Sequence, residues 1–384
     1  MVAQKYFICG YQVNCSPVTT SERFSRMKVC ALLMSSGKLQ RFDAKRMCDT
    51  NSSGDLRFIQ LDSVEKLNSL HVDCIVHKVP EFVSPCTDAK VDTLLAHFQS
   101  FLKRNPHVVC IDRLEDVQRI TRRDEQFKII TEFFKQSDLS ASVCVPNFCT
   151  LHTNNIQENS RLLREADIRF PVIVKPQTAH GERNAHSMAL VFNERGLKQI
   201  PCPVVAQEFV NHNGVLFKIF AIGQKTFIYT RTSIRNLTVS DNQETILFDS
   251  RTVSKDGHSS PLCDTDTFFE CSDKAKGIYC SYCLYNDATV LTNQEVGDSH
   301  DRPLLNRIAA LIRDATRLDL FGADVIKCVH GKHNHDSAAW RAKWAVIDVN
   351  VCPSYDRVPF FHQHLENLVR RKLSLPLVSV PDEM

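Results

Sequence analysis

The sequence predicts an α/β protein with more than one lobe, and three features of the chain carry that expectation. Short apolar runs alternate with amphipathic helical stretches over the first third of the 384 residues. A succession of strand candidates with one short helix among them fills the middle, and a helix, two strands and a closing helix complete the last third. Composition permits a packed core: 43% of residues are hydrophobic and 24% are charged.

In the first third, Tyr6 to Val13, Asp73 to Val79 and His107 to Ile111 are the strand candidates. Val91 to Arg104 places Leu94, Leu95, Phe98, Phe101 and Leu102 on one helical face, and Asp124 to Gln136 reads as a further helix. The middle region holds Pro171 to Pro176, Met188 to Phe192 and Pro203 to Val210, then Leu216 to Ile222 and Thr226 to Arg231. Strands in such close succession predict an antiparallel lobe. From Pro261 to about Asp301 the periodicity fails and polar residues and cysteines dominate, as in an insertion or loop. Helix resumes at Arg302 to Leu318, with Leu304, Ile308, Ile312 and Ala315 on one side. Phe321 to Val329 and Trp344 to Val351 follow as strands, Phe361 to Lys372 as the last helix, and the tail after Ser374 reads as frayed.

A formal net charge of +3 is too small to argue for nucleic acid or a membrane surface. Any anion site must be local. No stretch approaches the roughly 18 consecutive apolar residues of a membrane span. Met1 to Val13 also lacks a hydrophobic core followed by a small-residue cleavage site. The 16 cysteines, irregularly spaced, then read as free thiols in a reducing compartment, with the cytoplasm as the expected address.

The common nucleotide fingerprints are missing: there is no G-x-x-x-x-G-K-[ST] loop, no G-x-G-x-x-G, no H-R-D and no D-F-G. With only 12 glycines, a glycine-dense phosphate cradle is not expected. Lysines on strands and acidic metal ligands would have to hold a nucleotide. In WAVIDVNV, Asp348 and Asn350 alternate on a strand and share a face, and Asp324 in GADVI sits on the preceding strand, where it can pair opposite them. Such oxygen donors suit magnesium. Turn formation or simple solvent exposure of a strand explains the same residues, since Asp and Asn are depleted in strand interiors.

Lys175 ends the apolar strand PVIVKP, and Lys218 interrupts VLFKIFAIG in the same way. Each either snorkels to solvent or meets an anion. The stretch AHGERNAHSM supplies His180, Arg183 and His186 as donors, with Gly181 permitting a tight backbone; histidines that are structural or simply exposed are the plainer reading. Gln207, Glu208, Phe209 and Val210 lie where a strand leaves toward a linker, a place for backbone contacts to a flat base.

Taken together, the segments HKV (77–79), FPVIVKPQTAHG (170–181), VVAQEFVNHNGVLFKIFAIG (204–223), RTSIRN (231–236), FDSRTVSK (248–255), LFGADVI (320–326) and AVIDVNVCPSY (345–355) resemble the inositol 1,3,4-trisphosphate 5/6-kinase family. The resemblance runs from about residue 5 to 372 and implies an ATP-grasp fold with ATP between two lobes. It implies an N-terminal α/β domain over 1–112, a central lobe over 113–218, a C-terminal lobe over 219–374 with an insertion at 264–300, and a tail over 375–384. It places Lys175 and Arg123 on the nucleotide phosphates, Gln207 to Val210 at the adenine side, and Ser233, Ser250 and Ser254 in the nucleotide site. His186, Lys218 and Lys78 match inositol phosphate contacts, with His180 and Gly181 in the same phosphate-facing loop. Asp324, Asp348 and Asn350 match the ligands of two magnesium ions, with Asn350 also near the substrate. The implied enzyme acts on ATP and inositol polyphosphates, and a monomer is the simplest expectation. An ATP-grasp carboxylate ligase and a non-catalytic inositol phosphate sensor are the competing classes.

Three departures from the family pattern stand out. The lysine cluster expected after Gly10 and Tyr11 is absent, since residues 12–23 contain only Arg23. Ser354 takes the glycine position of the P-x-Y turn, at a strain cost of about 1 kcal/mol should φ be positive there. The insertion carries Cys263, Cys271, Cys280 and Cys283, whose spacing completes no zinc pattern and reads as loop thiols.

Overall fold

From Cys30 to Leu33 every side chain is buried, and a strand buried on both faces needs a layer on either side. Strand β1 (Lys28–Leu33) accordingly lies inside a parallel sheet of order β2-β1-β3-β4, with β2 spanning Leu56–Leu61, β3 Cys74–His77 and β4 Val109–Ile111. Cys30 and Leu32 face a large core shared with the C-terminal part, while Ala31 and Leu33 face a second cluster closed by Phe98 and Phe101. Helices α1 (Ser36–Arg41), α2 (Ala44–Asp49) and α3 (Ala89–Arg104) fill the connections. The computed structural model describes residues 26–49, 54–79, 89–178, 186–237, 242–253, 262, 300–329, 342–355 and 357–381. The expected strand Tyr6 to Val13, residues 12–23 and the four insertion cysteines lie outside these residues. The described cysteines are all free thiols.

Two helices, α4 (Leu114–Arg119) and α5 (Arg123–Lys135), lead into the short strand β5 (Val143–Cys144). A central sheet then forms in the order β12-β8-β7-β9-β6, all of its neighbours antiparallel. Its strands are β6 (Phe148–Leu151), β7 (Val172–Pro176), β8 (Ser187–Val191), β9 (Val204–Glu208) and β12 (Ile246–Asp249). Helix α6 (Ile156–Glu165) covers one face, started by the Asn155 side chain accepting from the Glu158 amide. The expected short helix is a 3₁₀ turn over Glu194–Gln199. After β12 comes the single turn α7 (Ser250–Val253).

The third sheet has the order β11-β10-β13-β14-β5. Strands β10 (Val215–Ile222) and β11 (Lys225–Thr232) form a hairpin in which Gly223 takes φ +56°, the region glycine enters without a Cβ penalty. Strand β10 runs across residue 218 and pairs wholly within this sheet. The border between lobes read from sequence therefore falls inside a strand. Helix α8 (Arg302–Thr316) packs on α5 and the hairpin, followed by β13 (Leu320–Lys327), β14 (Trp344–Val351) and α9 (Phe361–Lys372).

Strand β14 carries one residue too many. Asp348 pairs with Asp324 and Val346 with Val325, so Ile347 is left over as a bulge. A strict two-residue period would turn Trp344, Val346, Asp348 and Asn350 to one side. With the bulge, Trp344 and Val346 join Val349 and Val351 in the large core, and Asp348 and Asn350 turn the other way. Beyond β5, which reaches only Trp344 and Ala345, the outer edge of β14 meets a side chain instead of a strand. Gln126 of α5 donates to the Val349 carbonyl at 2.6 Å and accepts from the Val349 amide at 3.1 Å. Backbone groups buried at a sheet edge must find such partners.

The turn after β14 settles the strain at Ser354. Positive φ falls at Cys352 (41°) and Tyr355 (56°), and Ser354 is outside that set, so serine there carries no left-handed strain.

Gln126→Ala removes both contacts to Val349 and leaves two buried backbone groups without them. The expected loss is roughly 1–3 kcal/mol of unfolding free energy, read from urea denaturation; an unchanged midpoint would assign the edge to solvent.

Candidate functional site

Strands β10, β13 and β14 bring Lys218, Asp324 and Asp348 into one transverse row, since Lys218 pairs with Asp324 and Asp324 with Asp348. Residues opposed in antiparallel strands point to one face, and Asn350, two further along β14, joins them. Lys218 Nζ donates to Asp324 Oδ1 at 2.5 Å, and Asn350 Nδ2 donates to Asp348 Oδ2 at 3.0 Å. The amide nitrogen of Asn350 is thereby committed, and its oxygen is the atom that could ligate a cation. Two carboxylates and an amide oxygen make a hard donor set that fits magnesium, with phosphate and water completing the shell. Among the described residues no three His, Cys, Asp or Glu side chains gather to hold a metal. A third oxygen donor beside the two carboxylates would come from the Asn350 amide.

Two buried cations flank this row, and backbone carbonyls hold both. Lys175, 2% exposed, donates from Nζ to Gln207 Oε1 at 2.8 Å and to the carbonyl of the bulge residue Ile347 at 2.7 Å. The ring of Phe127 lies below it, 5.5 Å from Nζ to centroid. Burial draws the Lys175 pKa down to about 8, against the pull of Asp348. Arg123, also 2% exposed, opens α5 and donates from Nη1 to the Pro176 and Thr178 carbonyls at 2.7 and 3.2 Å. Its Nε points to Asp348 Oδ1 at 3.4 Å. The same helix start is stitched to the end of β7 through Asp124, which accepts from Gln177 and Arg122. Gln207 Nε2 is buried without a hydrogen-bond partner, an orphaned donor of the kind that marks a place for an acceptor group.

Glu208 to Val210 form the crossing from β9 to β10. The Glu208 amide donates to Asn147 at 2.8 Å and the Phe209 amide to Pro171 at 3.3 Å. His212 braces the crossing: burial lowers its pKa to about 4, so the ring is neutral. Its Nδ1–H donates to the Val210 carbonyl at 2.7 Å, and Nε2 accepts the Ser233 hydroxyl at 2.8 Å. On the central sheet His186 meets Ser250, ring Nδ1 to Oγ, at 3.2 Å, while the Ser250 amide donates to the His186 carbonyl. Burial and the nearby Arg251 lower the His186 pKa, and the fields of Arg123 and Asp348 reach its ring. His180, Gly181 and Ser254 lie outside the described residues.

Lys78 sits on another element, at the carboxyl end of β3, beside the point where the order β2-β1-β3-β4 reverses direction. Crevices at such reversals are the usual ligand places of parallel sheets. The preceding His77 is buried, which lowers its pKa to about 4, and it is neutral: Nε2 donates to the Asp112 carbonyl at 2.6 Å and Nδ1 accepts from the Val79 amide at 3.2 Å. The Asp112 carboxyl, raised to about 7 by burial, accepts the amides of Asp319 and Leu320, tying the first sheet to the start of β13. Lys38, 1% exposed, donates to the Pro353 carbonyl at 2.7 Å in the turn after β14, with Nζ 4.4 Å from the Phe42 ring centroid.

Gln126, His212, Asp112 and Lys38 were not among the residues expected from sequence. Only Gln126 left a usable signal: with Arg123 it places polar groups on the apolar face of α5 that carries Phe127, Ile130 and Phe134.

The family model described as the inositol 1,3,4-trisphosphate 5/6-kinase ATP-grasp domain matches residues 137–371. Inositol-tetrakisphosphate 1-kinase of Xenopus laevis is 26% identical over 361 residues, covering 92% of this chain and 81% of its own. The enzyme of that name from Danio rerio is 29% identical over 349 residues, covering 90% and 78%. Among solved structures, the VanG D-Ala:D-Ser ligase of Enterococcus faecalis aligns with a TM-score of 0.51 at 11% identity, over 90% of this chain and 99% of that one. A RiPP-associated ATP-grasp ligase of Chryseobacterium gregarium aligns with a TM-score of 0.50 at 13% identity, over 90% and 97%. At these identities the structures show a shared fold, the ATP-grasp fold.

The depressed pKa of Lys175 has a consequence for stability. The unfolded chain holds this proton up to the ordinary lysine pKa of 10.5, and the folded protein releases it at about 8. Between these values the unfolded state binds more protons, so the contribution of Lys175 to stability rises with pH. The unfolding free energy of wild type minus that of Lys175→Met is expected to grow across this window, by on the order of 3 kcal/mol. Urea titrations at a series of pH values read it, and a constant difference would show that the ammonium is not buried at a cost.

Proposed function

Because the chain belongs to the inositol 1,3,4-trisphosphate 5/6-kinase family and is an inositol phosphate kinase, we propose that it moves the γ-phosphoryl group of ATP to the 5- or 6-hydroxyl of inositol 1,3,4-trisphosphate. Inositol 3,4,5,6-tetrakisphosphate, accepting at its 1-hydroxyl, is the second substrate of this reading. The observation that carries it is the in-register row Lys218–Asp324–Asp348, with Asn350 beside it and Lys175 and Arg123 fixed behind.

In this reading Asp324, Asp348 and Asn350 hold two magnesium ions, which when bound neutralise charge on the terminal phosphates. Lys175 and Arg123 grip the nucleotide phosphates, and carbonyl contacts keep both cations in place before any ligand arrives, which favours preorganised charge stabilisation. Gln207 Nε2 supplies a buried donor, Glu208 to Val210 present backbone to the adenine, and Ser233, Ser250 and Ser254 complete the nucleotide site. Lys218, His186 and Lys78, with His180 and Gly181, bind acceptor phosphates as donors and orient one ring hydroxyl toward the γ-phosphorus. Transfer through a loose transition state asks mainly for alignment and neutralised charge.

Carboxylate ligation is disfavoured by the cations on the acceptor side, and a purely binding role by the complete set of three oxygen donors. Among the described residues no helix is long and apolar enough to cross a membrane. The free thiols support a reducing, cytoplasmic address, and a monomer is the simplest form of this reading.

Incubation with magnesium ATP and a panel of inositol phosphates, with products resolved by isomer, tests the proposal; ADP release without a more highly phosphorylated inositol would favour a ligase. Asp348→Asn keeps the shape of the side chain and removes its charge. Its kcat is expected to fall about 100-fold or more with the melting temperature nearly unchanged, and full activity would remove Asp348 from the site.

A further inference from the structure

Two cations neutralise the two carboxylates of the row, and they differ in how they are held. Arg123 faces Asp348 while its guanidinium is pinned by the Pro176 and Thr178 carbonyls and its backbone amide by Gln177. Lys218 faces Asp324 on a flexible four-carbon stem, with the 2.5 Å contact to Asp324 Oδ1 as its hydrogen bond. The side chains of this pair are 12% and 19% exposed, and Leu216 and Phe220 flank Lys218 on its face of the strand. One counter-charge is held by main-chain carbonyls and the other by the carboxylate it neutralises.

We propose that Lys218 and Asp324 form an exchangeable pair through which divalent metal with nucleotide and the phosphates of the acceptor promote each other's binding. The proposal rests on the kinase reading of this site. A divalent cation on Asp324 and the Lys218 ammonium on its Oδ1 would share one carboxylate, and at that separation in a cleft where the pair is 12% and 19% exposed their repulsion makes them compete for it. Metal at Asp324 releases Lys218, and a released lysine among apolar neighbours needs a new anion, which an acceptor phosphate supplies. An acceptor phosphate that draws Lys218 away leaves Asp324 uncompensated and raises its affinity for the metal. Linkage makes the two effects equal in size. Without acceptor, Lys218 competes for the metal ligand and the site is only partly armed, which restrains turnover of ATP with water in place of the acceptor.

Binding measurements test this without relying on activity. Mn²⁺ is titrated by EPR into wild type and Lys218→Met in the presence of a non-hydrolysable ATP analogue, and the titration is repeated with inositol 1,3,4-trisphosphate. In wild type the trisphosphate is expected to tighten Mn²⁺ binding about 10-fold. In Lys218→Met, Mn²⁺ is expected to bind about 10-fold tighter than in wild type without acceptor, and the acceptor to add no further gain. Equal or weaker Mn²⁺ binding in the variant overturns the exchange, as does coupling that survives in it. Thermal unfolding verifies that the variant is folded, and Lys218→Gln replaces it should methionine not be tolerated. Should the trisphosphate fail to bind wild type in a direct titration, the kinase reading of the acceptor fails, while the variant's Mn²⁺ affinity still decides the exchange.

Discussion

Ile347 is the surplus residue of β14, and its carbonyl, displaced from the ladder, accepts a hydrogen bond from the buried ammonium of Lys175 on the facing sheet. Around this contact the site is organised. The bulge lets Trp344 and Val346 stay in the core while Asp348 and Asn350 turn outward, so a strand of nearly continuous apolar sequence presents two oxygen donors without sacrificing its packing. The same carbonyl spares Lys175 the cost of an unpartnered buried charge and joins two sheets across the crossing Glu208 to Val210.

Charge at this site is organised before any ligand binds. Arg123 and Lys175 are held by main-chain oxygens that do not titrate, so their geometry does not depend on mobile counter-ions. Asp348 is balanced by Arg123 and by the amide of Asn350, and Asp324 by Lys218. An electrostatic site built this way needs little reorganisation when anionic ligands enter. Lys218 is the exception, a cation whose contact is a carboxylate instead of a main-chain oxygen.

The N-terminal sheet is fastened to the same region from the other side. Asp112 accepts two amides at the start of β13, His77 holds the Asp112 carbonyl, and Lys38 reaches the turn that ends β14. These contacts fix the carboxyl end of β3, and with it Lys78, relative to the row. The two regions also share one apolar core, which opposes independent motion.

Local pattern in the chain was enough for the α/β class, for the final helix and last strand to the residue, and for the shared face of Asp348 and Asn350, because helical and strand periods are properties of neighbouring residues. Motif resemblance was enough for the family. Strand β1 was not among the expected strands, since its five consecutive apolar residues, Val29 to Leu33, carry no period that separates a buried strand from a helix. Tertiary structure alone decided which way β14 turns its donors, because a bulge is a mismatch between two strands and neither sequence contains it. It alone decided that Gln126 completes a sheet edge, that His212 and Asp112 brace the connections, and that Lys218 lies on Asp324 across 106 residues of chain. Each of these depends on a partner distant in sequence, and pairing of that kind is set by the packing of whole sheets.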